Sequence, residues 1–163
     1  MDNFDNNSRV WIYQSNRELT SDEMNWLNIQ LLAFTSDWTA HSNSLKAKFE
    51  VRYNRFIILI VDERAHNASG CSIDKSVNFM KQMEQSLKIN LFDRFHIAFK
   101  EGETVKSVER DDFEQLIIEG TITADTIVFN NLVSTKAELE KNWETPFKNS
   151  WHQQVFGNLV VNN

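Results

Sequence analysis

The feature that most constrains the fold is residues 56–61, Phe-Ile-Ile-Leu-Ile-Val, an uninterrupted apolar run. Successive side chains of a strand point to opposite faces of a sheet, so a run that is apolar at every position predicts a central strand covered on both faces. The preceding residues 45–53 alternate between apolar and mostly charged side chains, which predicts a half-exposed neighbouring strand. Asn54, which lies between the two, is expected to form a tight turn.

Amphipathic helices are predicted on either side of these two strands. Residues 20–23, Thr-Ser-Asp-Glu, form a capping box, and apolar residues then recur at helical spacing as far as Phe34. A second amphipathic helix is expected to begin with Ser72 as its N-cap. With further strands at residues 9–14 and 95–100, the first hundred residues run β-α-β-β-α-β, the order of the ferredoxin-like fold. We expect an α+β protein with an antiparallel or mixed sheet, helices packed on it, and a C-terminal βα extension.

The C-terminal part carries a third helical signal and a cluster of aromatic residues. Residues 127–129 predict a strand, and residues 135–138 form another capping box, whose helix is expected to run through Trp143 and stop at Pro146. Burial over the sheet is expected for the C-terminal aromatic residues, and an exposed partner-binding surface is the alternative. These residues are Trp143, Phe147, Trp151 and Phe156.

Length and composition narrow the class of protein. The 163 residues are expected to form a single domain, 1–163, with flexible ends at residues 1–7 and 158–163. A single cysteine excludes an internal disulfide and favours the cytoplasm. No secretion signal or membrane span is expected, because the longest apolar run is too short to cross a bilayer. The net charge of −6 makes nucleic acid an unexpected partner.

The loop between the central strand and the second helix, residues 62–74, is the predicted functional site. Backbone N–H groups and the helix dipole attract anions where a loop enters a helix. Cys71 lies at this helix start, and with His66 it is a candidate nucleophile and base. The alternatives are a buried, unreactive cysteine and residues that only cap the helix. The candidate ligand-binding residues are Asp62, Glu63, Ser69, Gly70, Ser72 and Asp74.

Two kinds of site are not supported by the motifs. Residues 56–63 look like the acidic strand of nucleotide hydrolases, but none of the four glycines belongs to a phosphate-binding G-x-x-x-x-G-K-[ST] loop, so a P-loop ATPase is excluded. The four histidines are scattered through the chain, and the sequence therefore predicts no metal site and no cofactor. They are His41, His66, His96 and His152.

Three segments carry a resemblance to a known family. Residues 67–74, Asn-Ala-Ser-Gly-Cys-Ser-Ile-Asp, residues 125–131 and the tail from Trp143 to Trp151 resemble a small uncharacterised bacterial protein family. Its members are often labelled "ABC transporter ATPase", a label that the missing P-loop contradicts here. The resemblance implies no particular activity or site residue. A shorter segment, residues 119–128, is similar to the closing helix and strand of GYF-type peptide-binding modules.

These observations lead to one leading hypothesis and two alternatives. We expect a non-enzymatic cytoplasmic binding or regulatory module, which binds a protein partner or a small ligand at residues 62–74. The first alternative is a thiol-dependent enzyme or redox sensor that uses Cys71. The second is a homodimer held together by a sheet face or by the C-terminal aromatic residues.

Overall fold

The computed structural model describes residues 3–161, and its contacts divide the chain into two compact units. Unit 1 comprises Met1–Phe92 with Ser134–Ala137, and unit 2 comprises Asp93–Val133 with Glu138–Asn163. Each unit has its own cluster of buried apolar side chains. The single domain stays a prediction, and residues 1, 2, 162 and 163 of the ends predicted to be flexible lie outside the described residues.

Unit 1 is built on a three-stranded antiparallel sheet whose middle strand is the apolar run. The strands are β1 (Arg9–Gln14), β4 (Lys46–Arg52) and β5 (Phe56–Asp62), in the order β1-β5-β4. All seven residues of β5 are buried, which confirms the prediction of a central strand. A two-stranded ribbon of β2 (Thr39–Ala40) and β3 (Asn43–Ser44) precedes β4.

The first helix of unit 1 begins where its capping box predicts. Helix α1 spans Ser21–Asp37, with Thr20 as N-cap. The Thr20 hydroxyl accepts from the Glu23 amide, and the Glu23 carboxylate accepts from the Thr20 amide. Arg17 donates to both Glu23 carboxylate oxygens and to the carbonyl of Leu87. Arg17 thereby ties the start of α1 to the residue that ends the second helix.

The second helix, α2, begins three residues earlier than predicted. It spans Gly70–Leu87 with Ser69 as N-cap, so the expectation that Ser72 is the N-cap is wrong. Ser72 is instead the third helical residue and completes a reciprocal capping box with Ser69. Ser69 takes the cap because its hydroxyl accepts from the Ser72 amide at 3.1 Å while the Ser72 hydroxyl accepts from the Ser69 amide at 2.7 Å.

The outer edge of β1 is covered by a segment from much later in the chain. The Val10 amide donates to the Ser134 carbonyl at 3.0 Å, and the Lys136 amide donates to the Ser8 carbonyl at 2.8 Å. Arg9 and Thr135 form an antiparallel bridge between these two segments. Residues 134–137 therefore belong to unit 1 although more than forty residues of unit 2 precede them.

Unit 2 contains a four-stranded antiparallel sheet. Its order is β7-β6-β8-β9. Its core combines side chains from the sheet, from α3 and from the C-terminal segment. Its strands and helices are β6 (His96–Glu101), β7 (Thr104–Glu109), α3 (Arg110–Ile118), β8 (Ile127–Phe129), β9 (Glu144–Pro146), α5 (Trp151–Phe156) and the later turns of α4 (Lys136–Asn142).

The two sheets bear out the α+β class, with antiparallel strands and five helices among the described residues. The specific ferredoxin-like order is not confirmed. That order requires β6 beside β1, whereas β6 pairs with β7 and β8. None of the helices within residues 3–161 is both long enough and apolar enough to span a membrane.

The third capping signal gives a shorter helix than expected. Helix α4 ends at Asn142, and Glu144–Pro146 form strand β9, which pairs with β8. The prediction that this helix runs through Trp143 is therefore wrong. The Trp143 carbonyl accepts from the Asn130 amide at 2.7 Å, which draws the chain into the sheet. Pro146 is accommodated because β9 is an edge strand.

Among the C-terminal aromatic residues, Phe147 and Phe156 lie in the core of unit 2, Trp151 packs against that core, and Trp143 packs on Phe129. Trp143, Phe147 and Phe156 are buried, and Trp151 is half-buried. The prediction of burial is confirmed for Trp143, Phe147 and Phe156, and the alternative of an exposed aromatic interface is wrong for these three residues.

Candidate functional site

The predicted loop lines an open surface cleft of about 470 Å³ in unit 1. One wall is formed by the seven consecutive residues from Glu63 to Ser69, which lie between β5 and α2. The other wall is formed by the β2–β3 turn, where His41 and Ser42 have positive φ angles of 50° and 66°. This wall contributes Ala40, His41 and Asn43.

Asp62 is buried, and its carboxylate accepts hydrogen bonds from within unit 1. Its side chain is only 2% exposed, and its carboxylate accepts from the amides of Asp5 and Arg64 at 3.2 and 3.1 Å. The Arg64 guanidinium donates to it at 2.6 to 3.0 Å, and the Lys46 ammonium lies 3.6 Å away. These hydrogen bonds, chiefly the one with the Arg64 side chain, hold the pKa of Asp62 well below its usual value. Asp62 therefore fastens the end of β5 to the N-terminal segment.

Glu63 lies in the cleft wall, and its carboxylate shapes the loop. One carboxylate oxygen accepts from the Ala68 amide at 2.8 Å, and the other lies 3.9 Å from the Arg9 guanidinium. The first contact closes the loop on itself, since the two residues are five positions apart. Both carboxylate oxygens of Glu63 therefore already have partners within unit 1.

Ser69 and Ser72 are occupied by the capping box of α2. The Ser72 hydroxyl also donates to the Ser69 carbonyl at 2.8 Å, and the Ser72 carbonyl accepts from the indole N–H of Trp38 at 2.8 Å. Ser72 is buried, so it does not face the cleft. The interpretation of these two serines as helix caps is confirmed, and the hydrogen bonds of the Ser72 hydroxyl are made inside unit 1.

The remaining predicted residues are exposed. Gly70 and Cys71 are the first two residues of α2, and Asp74 follows in the second turn. The interpretation of Cys71 as a buried core residue is wrong, since its side chain is exposed. His66 is exposed and lines the cleft, whereas Cys71 is not among the lining residues.

Sequence reasoning missed the second wall of the cleft. His41 and Asn43 belong to a ribbon with two residues in each strand, too short to give a periodic pattern. The turn composition His-Ser-Asn at residues 41–43 is the signal that was available, because Asn and Ser favour turns.

A second group of polar side chains comes together in unit 2. Asp93, His96 and Glu109 each offer a potential ligand atom, and these three atoms lie within 4.8 Å of one another. The side chain of His96 is 12% exposed, and that of Glu109 is 63% exposed. None of the three was predicted as a ligand, because Glu109 is brought to His96 by strand pairing.

Comparisons of the chain with protein-family models, with curated proteins and with solved structures gave no match.

Proposed function

We propose that the protein is a non-enzymatic binding or regulatory module whose cleft between the β2–β3 turn and residues 63–69 binds a small anionic ligand. The observation that carries the proposal is the cleft itself, because one continuous loop and a facing turn form its two walls. Its volume of about 470 Å³ falls within the ordinary range for small-molecule sites.

The chemistry of the lining favours an anion. The walls carry the imidazoles of His41 and His66 and the amide side chains of Asn43 and Asn67, all of which can donate hydrogen bonds. Helix α2 begins directly after the last lining residue, Ser69, and its 18 residues place the positive end of the helix dipole there. The negative charge of Glu63 would repel an anion, but one of its carboxylate oxygens already accepts a hydrogen bond from the Ala68 amide, which reduces this repulsion.

A phosphate titration tests this proposal. Amide chemical shifts of ¹⁵N-labelled protein are followed as inorganic phosphate and then phenyl phosphate are added. Saturable shifts confined to residues 40–43 and 63–71 are expected, because those residues form the cleft and the start of α2. The double substitution His41→Ala and His66→Ala is expected to weaken binding at least fivefold.

The matched control is Gln82→Ala, which changes an exposed residue on the far turns of α2 and is expected to leave the phosphate affinity unchanged. A lack of saturable shifts, or saturable shifts that survive the double histidine substitution, would overturn the anionic-ligand proposal. Shifts at the cleft only on addition of a peptide or protein would instead favour a protein partner at the same loop.

Exposure of Cys71 supports a second candidate function, a redox sensor or thiol-dependent enzyme. The thiol is exposed in the first turn of α2, where a reagent or substrate can reach it. If this candidate is right, iodoacetamide should modify the native protein at pH 7 faster than the urea-unfolded chain. Equal or slower modification of the native protein would remove it.

The wider assignments rest on sequence alone. We propose a cytoplasmic location, because a single cysteine suits a reducing compartment. The relationship to the bacterial family, the ferredoxin-like relationship and the homodimer stay predictions. Sedimentation at high concentration tests the homodimer directly.

A further inference from the structure

We propose that Asp93, His96 and Glu109 form a binding site for a divalent transition-metal ion in unit 2. The three side chains belong to one continuous piece of backbone, the β6–β7 hairpin and the turn before it. His96 and Glu109 are directly paired across the two strands, so their side chains project from the same face. Asp93 lies three residues before His96 and completes the group.

One tautomer of His96 that fits its hydrogen bonds presents Nδ1 as the metal ligand. Nε2 lies 2.7 Å from the Ser107 hydroxyl, and Nδ1 lies 3.3 Å from a Glu109 carboxylate oxygen. When Nε2 carries the proton and donates to Ser107, the lone pair of Nδ1 lies on the side of the Glu109 carboxylate. A metal ion between this nitrogen and the carboxylate would be bound by both. Metal-bound histidines commonly use the second nitrogen in this way, as a donor to a neighbouring group.

A hydrogen bond in the turn holds the Asp93 side chain in place, and the carboxylate still has lone pairs that can bind a metal ion. One of its carboxylate oxygens, Oδ1, accepts from the Phe95 amide at 2.9 Å, which fixes the turn before β6. An ionised carboxylate has further lone pairs, so this hydrogen bond does not exhaust it. Nitrogen and oxygen ligands lie about 2.0–2.2 Å from a tetrahedral zinc ion, hence roughly 3.3–3.6 Å from each other. The separation of up to 4.8 Å therefore has to close by about 1.2–1.5 Å, and the exposed Glu109 side chain has room to move.

The donor set points to the class of ion. One imidazole with two carboxylates suits zinc and neighbouring first-row ions, whereas magnesium and calcium prefer oxygen ligands alone. Three protein ligands leave a coordination position for water or a further group. The three residues belong to unit 2, and the proposal does not depend on the function proposed for the cleft of unit 1.

Zinc titration by calorimetry tests the proposal on the full chain without an affinity tag. Cys71→Ser is used as the background, so that the exposed thiol does not compete for the metal. One equivalent of zinc is expected to bind, at least tenfold more weakly after Asp93→Asn or Glu109→Gln and without detectable affinity after His96→Gln. Ser107→Ala is expected to weaken binding by about tenfold, because it removes the group that orients the ring.

Glu103→Gln is the matched control. Glu103 is an exposed acidic residue in the turn of the same hairpin, and its substitution is expected to leave zinc affinity unchanged. The ring nitrogens of His96 give a readout that needs no variant: zinc should move the Nδ1 resonance strongly. The proposal is overturned if no one-to-one binding is found, if Glu103→Gln weakens binding as much as Glu109→Gln, or if the His96 resonances do not respond to zinc.

Discussion

Asp62, a candidate ligand-binding residue in the sequence, connects the end of β5 to the N-terminal segment. An exposed carboxylate after a strand and a buried one look alike in the sequence, and they differ only in what surrounds them. The Asp5 amide and the Arg64 guanidinium donate hydrogen bonds to the Asp62 carboxylate, and these partners lie 57 and 2 positions away in the sequence. The long-range contact is what no local pattern reveals.

Asp62→Asn is expected to destabilise the protein by about 2 kcal/mol, because a buried acceptor loses its charge-assisted hydrogen bonds. Urea unfolding measures the change. Asp74→Asn, on the exposed surface of α2, is the control, with an expected change below about 0.5 kcal/mol. Equal effects of the two substitutions would contradict a structural role for Asp62.

His152 makes stability depend on pH. It is 1% exposed, stacks on Trp151 and lies among Phe113 and Phe147, and burial lowers its pKa from 6.5 to about 3. Between these two values the unfolded chain binds a proton that the folded chain does not, so unfolding becomes easier as pH falls. The free energy of unfolding should therefore drop between pH 6.5 and 5, by up to about 1.4 kcal/mol per pH unit.

The measurement is urea unfolding at several pH values, compared with His152→Gln. That variant loses packing and is less stable throughout, but its stability should change less between pH 7 and 5. A variant with the same slope as the original chain would show that another group causes the pH dependence. Below about pH 4.5 Glu23 adds a further loss, because its hydrogen bonds with Arg17 lower its pKa to about 2.

At the scale of elements, the start of α2 gives a direct test of the capping box. Ser69→Ala is expected to cost about 1 kcal/mol, since the amide of Ser72 loses its acceptor. Ser86→Ala, on an exposed position of the same helix, removes a hydroxyl without a capping role and should be neutral or slightly stabilising. Thermal unfolding of both variants separates the cap from the general effect of alanine.

The elements that were predicted correctly are those with a long local signal. The apolar run of β5 and the capping box of α1 each specify an element within a few residues. Strand β9 and the two strands of the β2–β3 ribbon are only two or three residues long. They form because β9 pairs with β8, which lies earlier in the chain, and because β2 pairs with the adjacent β3. Strand β6 pairs with β7 of its own hairpin and with the distant β8 rather than with β1, and the order of strands along the chain does not predict the pairing with β8.

In the candidate site too, the part next to long, strongly patterned elements was predictable and the part on short elements was not. The loop after β5 was predicted because it joins two strong elements, and its residues 63–69 do line the cleft. The roles inside it were not predictable, because Ser72 turns inward to the capping box and Cys71 turns outward. His41 reaches the cleft from a turn that carries no periodic signal.

At the scale of the whole molecule, the excess of acidic groups sets solution behaviour. The chain has a net charge of −6 at pH 7 and an isoelectric point near 5.2. Mutual repulsion between copies disappears near that point, so solubility should be lowest there. Light scattering between pH 4.5 and 7.5 is expected to show most association near pH 5.2, and a minimum in association at that pH would contradict this expectation.

The return of residues 134–137 to the edge of β1 has a consequence for the order in which the protein is made. A ribosome that has synthesised Phe92 still has to add 45 residues before Ala137, the last residue of unit 1, exists. At roughly 5–20 residues per second this takes several seconds. During that interval the nascent β1 offers unpaired backbone groups to any neighbouring chain, and a recombinant fragment that stops at Phe92 would keep that edge open permanently.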